Sequence, residues 1–166
     1  MSEREILQPK SVHSTAGVGY SHVARVGNTV YIAGQVALDR SGNLVGKDDI
    51  EAQAEQVYEN LKAILNELGG SLEDIVKSTT YLTDRGQLQG FRRVRNRFFR
   101  EPFPPNTLVF ISGLAQPEYL IEIEAVAVLT GPRGSQVAVT HPARDAQQRV
   151  RVLLPAEAKA PKGIGK

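Results

Sequence analysis

The sequence predicts a single α+β domain over residues 1–130, a sheet with two helices packed on one face, followed by a basic C-terminal extension over residues 131–166. Three observations carry this reading. The 166 residues fall within the ~100–200 usual for one hydrophobic core. The apolar period switches between two and three-to-four along the chain, in the order two or three strands, helix, strand, helix, two strands. Charge changes sign at Gly131: before it 13 Lys and Arg face 16 Asp and Glu, a net −3, and from it onward 7 face 2, a net +5. The pI near 9.0 therefore belongs to the extension and is weak support for a nucleic-acid-binding domain.

Each element has its own signal. His22–Val26 and Thr29–Ala33 flank the two-residue turn Gly27-Asn28, which reads as a β-hairpin. After a Gly- and Asp-rich segment, Asp48 or Asp49 can cap a helix. Ile50, Ala54, Val57, Leu61, Ile64, Leu65 and Leu68 form its apolar stripe, and Gly69-Gly70 ends it. Ile75–Leu82 is rich in β-branched and aromatic residues and reads as a strand, with Val76 and Thr80 on one side and Lys77, Thr79 and Tyr81 on the other. Asp84 can cap a second helix with apolar positions Leu88, Phe91, Val94 and Phe98, interrupted by Pro102, Pro104 and Pro105. Two strands follow, Leu108–Ser112 and Tyr119–Leu129. In the last, Ile121, Ile123, Ala125 and Ala127 share one face, while Glu122 and Glu124 lie with Val126 and Val128 on the other.

Two helices cover only one sheet face, so the other is expected to meet further copies of the chain. The absence of cysteine excludes disulfides, thiolate nucleophiles and Cys-based zinc sites, and fits a reducing cytosol. Met1–Glu5 carries two acids and leads into no apolar run of ~20 residues, so neither a signal peptide nor a membrane span is expected, and the location expected is cytoplasmic. His13, His22 and His141 have no metal-ligand spacing. In the extension, Pro132, Pro142, Pro155 and Pro161 interrupt the chain, and Val150–Leu154 is the one stretch with strand character.

Four separated motifs, Gly19-Tyr20-Ser21, Val26–Tyr31, Ala33-Gly34-Gln35 and Ile121–Ala125, resemble the RidA/YjgF/YER057c family of reactive-intermediate deaminases, in order and over about residues 5–130. The resemblance implies a chorismate-mutase-like fold, a homotrimer with a small-molecule cleft at each subunit interface, and hydrolysis of imines or enamines to 2-oxo acids and ammonia without metal or organic cofactor. It also implies an arginine for the substrate carboxylate within a Pro-x-Arg-Thr pattern. Here that stretch reads Phe103-Pro104-Pro105-Asn106-Thr107-Leu108, and the arginine's place falls on Asn106 or, by a gapless count back from Glu122, on Thr107. An arginine grips a carboxylate through two charge-assisted hydrogen bonds, which asparagine cannot replace. The usual 2-aminoacrylate is therefore not the expected substrate.

The residues then take these expected roles. Glu122, a carboxylate on a mostly apolar strand face, can have its pKa raised and act as a base on water; the alternative is a solvated edge-strand glutamate. Tyr20 donates to a leaving nitrogen or orients the substrate, or else packs as a loop aromatic. Gly34 lets a ligand approach the backbone. Asn106 and Thr107 contact the ligand as neutral groups, or belong to an ordinary turn. Arg92, where the family commonly has Asn beside the cleft, supplies the lost charge, or belongs to a solvated face with Arg93, Arg95, Arg97 and Arg100. A non-catalytic small-molecule binder is the main competing function. RNA binding or cleavage is a weaker one, because the spacing of Phe91, Phe98 and Phe99 points to core rather than to stacking platforms.

Overall fold

In the computed structural model, which describes residues 3–131, one six-stranded sheet runs in the order β1-β2-β3-β6-β4-β5. Its strands are β1 (Arg4–Leu7), β2 (Val23–Val26), β3 (Thr29–Gln35), β4 (Ile75–Leu82), β5 (Asn106–Phe110) and β6 (Ile121–Val128), with helices α1 (Ile50–Glu67) and α2 (Leu88–Phe98). All neighbours are antiparallel except β4 and β5. The basic extension, with Val150–Leu154 and His141, lies outside the described residues.

The hairpin forms as expected: Val26 pairs with Thr29, and Gly27 takes the positive φ of 59° that such a turn needs. Asp49, not Asp48, caps α1, its Oδ1 accepting from the amides of Glu51 and Ala52 at 2.9 and 3.2 Å. Asp84 departs from expectation. It caps a short 3-10 turn over Arg85–Gln87, and α2 starts after Gln87 without a side-chain cap. The residues Ala54, Val57, Leu61, Ile64 and Leu65 of α1 are buried against Ile121, Ile123, Ala125 and Ala127 of β6, and Phe91 and Val94 of α2 join the same core. Burying each large aliphatic or aromatic side chain contributes roughly 1.5–3 kcal/mol. Tyr58 of α1 stacks on Phe91 and Phe98, with ring centroids 6.4 and 5.1 Å away, so the phenylalanines of α2 are core residues.

Both helices lie on one face of the sheet, and cross-strand partners define rows on the other. Ile6, Ala24, Tyr31, Val126 and Lys77 make one row. Glu124, Thr79 and Thr107 make the next, then Glu122, Tyr81 and Val109. Two bulges perturb the rows. The register of β3 against β6 jumps from Ile32–Ala125 to Gln35–Ile123, so Ala33 and Gly34 together oppose one residue. A second jump between Ile75 and Lys77 leaves Val76 unpaired and 46% exposed, instead of buried beside Thr80 as strict alternation requires.

Candidate active site

Glu122 sits half-buried on the open face, and the β3 bulge creates its place. A Cβ on Gly34 would overlap the Oε1 of Glu122, so the carboxylate lies directly against the glycine backbone. Gly34 thus clears space for a protein side chain, a role the sequence reading assigned to ligand approach. Gln35, fully buried, fixes the bulge: its Nε2 donates to the Ala33 carbonyl at 2.9 Å and to Nδ1 of His22 at 3.1 Å. His22 in turn donates from Nε2 to the His13 carbonyl at 2.8 Å, which requires the Nε2-protonated tautomer. Nothing in the sequence marks His22 or Gln35 as positioning groups, because that depends on a bulge invisible to periodicity.

Burial, and then the charge of Glu124, push the Glu122 carboxyl above the ordinary carboxylate range. Tyr20 lies near enough to feel this charge: burial first, then Glu122, then Tyr119 raise its phenol. Its loop is tied down by Gln8, whose Nε2 donates to the Tyr20 carbonyl at 3.3 Å and to the Ser21 hydroxyl at 3.1 Å. The ring stands edge-on to His22 with centroids 6.0 Å apart and remains 43% exposed. The fold therefore seats Glu122 against Gly34, with Tyr20 within reach of the carboxylate's charge, from three distant stretches of sequence.

The other expected residues do not join them within one chain. Asn106 opens β5 rather than lying in a turn, opposite Ser78 on the helix-covered face, where its Nδ2 donates to the hydroxyls of Ser78 and Thr80 at 2.9 and 3.0 Å. Thr107 points to the open face and accepts from the Lys77 ammonium at 2.7 Å. Arg92 is exposed on α2, on the helix side, among arginines of which Arg93 and Arg97 pair with Glu51 and Glu55 of α1. A concavity of about 410 Å³ lies on the open face, lined by Ser21, Tyr31, Ala33, Lys77, Thr79 and Glu124 among others. Glu122 is not part of its lining and stands one row away. Among the described residues no cluster of His, Asp and Glu could hold a metal ion, and no helix is long and apolar enough to cross a membrane.

Comparison with known proteins agrees with this architecture. The family model described as endoribonuclease L-PSP matches residues 11–129. A RutC family protein of Pyrococcus abyssi is 41% identical over 108 residues, covering 65% of this chain and 84% of that one. A 2-iminobutanoate/2-iminopropanoate deaminase of Dermatophagoides farinae is 30% identical over 128 residues, covering 74% and 99%. The crystal structure of RidA from an Antarctic Psychrobacter superposes with a TM-score of 0.69 at 36% identity, covering 75% of this chain and 99% of that one. With the motifs, the six-stranded sheet and these relatives in agreement, the chain belongs to the RidA/YjgF family, the family of the endoribonuclease L-PSP model.

Proposed function

We propose that the protein is a cofactor-free, deaminase-like hydrolase of a small imine, enamine or related C–N compound, working in a cleft between subunits of a homotrimer. The observation that carries this is the Glu122 carboxylate seated against Gly34, with Tyr20 beside it. Ionised Glu122 takes a proton from water as the water oxygen bonds to the imine carbon. That proton passes to the nitrogen, giving a carbinolamine. Glu122 then takes the carbinolamine hydroxyl proton and delivers it to the nitrogen as the C–N bond breaks, so that ammonia and a carbonyl compound leave. Tyr20 donates a hydrogen bond to the departing nitrogen. One relative at 30% identity carries an imine deaminase name, which supports the reaction class. Asn106 in place of a cation argues against 2-aminoacrylate as the preferred substrate.

The test is ammonia release from a panel of imines generated in situ by an amino-acid oxidase or dehydratase. Glu122→Gln is expected to lower kcat by about 10²–10⁴, the usual contribution of a general base. Because the base form does the work and its pKa is raised, activity should appear as pH rises through a value above the ordinary carboxylate range. A Glu122→Gln protein with full activity would dismiss this mechanism. Tight retention of an imine analogue by the wild-type protein, with no turnover of any panel member, would favour the non-catalytic binder.

A further inference from the structure

We propose that Lys77 is the anion-binding, specificity-determining residue of the open-face cleft, which makes the ligand a small acid whose carboxylate lies beside Thr107. This rests on the reading of that cleft as a small-molecule site. Across β3, β6, β4 and β5 the open face presents one cation, Lys77, against two carboxylates, Glu122 and Glu124. Among the described residues Lys77 forms no ion pair. Its ammonium donates instead to the Ser78 carbonyl at 2.8 Å and to the Thr107 hydroxyl at 2.7 Å, and both acceptors are neutral. An ammonium has three N–H donors, so one is left for a ligand. Lys77 also lines the 410 Å³ concavity, large enough for a small organic acid.

The hydrogen bond to Thr107 has a geometric consequence. It draws the ammonium from the row of its own Cα into the row of Glu124, Thr79 and Thr107, one row from Glu122. Alternate residues on one face of a strand lie roughly 7 Å apart and neighbouring strands about 4.8 Å. An anion at Lys77, on the β5 side of β4, therefore stands on the order of 10 Å from the Glu122 carboxylate on β6, in an adjoining part of the same face. Within the same chain Asn106 does not reach that anion, because it opens onto the opposite face and its amide is engaged by Ser78 and Thr80. Arg92 lies on the helix side. A lone ammonium backed by a hydroxyl is a point charge rather than a fork, so it selects for the position of the anion more than for its planar geometry.

The experiment titrates the wild-type full chain with pyruvate, 2-oxobutanoate and 4-oxopentanoate, and with butanone as a neutral control, read by calorimetry and NMR shifts. At least one keto acid should bind, and butanone should not. Lys77→Met should weaken that binding about tenfold or more, the scale of losing one charge-assisted hydrogen bond. Lys77→Arg should stay within about threefold, which separates loss of charge from loss of fold. Equal binding by Lys77→Met, or no binding of any keto acid by the wild type, overturns the assignment. The ammonia-release assay judges the hydrolase reading separately: imine turnover unaffected by Lys77→Met would leave that reading standing while this one fell.

Discussion

At the scale of single residues, the site is built around an absent side chain. Gly34 is not needed for a left-handed backbone; it is needed because the Glu122 carboxylate fills the volume of a Cβ there. The obstructed atoms are the far end of a flexible side chain, so Gly34→Ala should move Glu122 rather than unfold the protein. The expected outcome is a melting temperature within a few degrees of wild type with kcat reduced at least tenfold, the scale of a misplaced catalytic group. A variant of unchanged kcat would show that Glu122 works from another rotamer, or does not work at all. The sequence made Glu122 legible as one of two acids in an otherwise apolar strand, and Gly34 through its motif. It could not show that the two touch, because their contact arises from a two-residue bulge opposite β6.

At the scale of elements, what was legible followed regular periodicity, and what was missed lay where periodicity breaks. The hairpin, the stripe of α1 and the alternation of β6 all form as the pattern requires. Short β1 was covered only by the expectation of two or three strands, and β5 begins two residues earlier than its apolar run because Asn106 pairs with Ser78. Polar residues inside the core left no trace in the pattern either. Gln53 and Asn60 of α1 are almost fully buried, and each holds a loop to the helix. Gln53 donates to the carbonyls of Gly46 and Glu118 at 3.1 and 2.8 Å and accepts from the amide of Leu120 at 2.9 Å. It therefore fixes the segment that enters β6 just before Glu122. Gln53→Ala would strand three backbone groups in the interior, and denaturant titration should show a loss of about 2–4 kcal/mol. A loss below about 1 kcal/mol would mean that water replaces the amide and that the loop is held by other contacts.

At the scale of the whole molecule, the sheet has one covered face and one that is unfinished. Ile6, Val26, Tyr31 and Val128 all point from the uncovered side and are 52%, 37%, 50% and 36% exposed, a spread of apolar surface that a solitary chain rarely leaves to water. The separation of Asn106 from Glu122 leads to the same place, since groups on opposite faces of one sheet can border a common cleft only if a neighbouring copy supplies one of them. We therefore predict a homotrimer assembled through the open face. Sedimentation at micromolar concentration should give three times the 18.1 kDa of the chain. The double variant Tyr31→Glu with Val128→Glu places charge in that face without touching the helix-side core, so it should sediment as a folded monomer of wild-type helix content. It should also lose imine hydrolysis if the proposed cleft draws on two copies. A wild-type protein that sediments as a stable monomer and still releases ammonia would show that one chain carries a complete site, and Asn106 would then have no part in it.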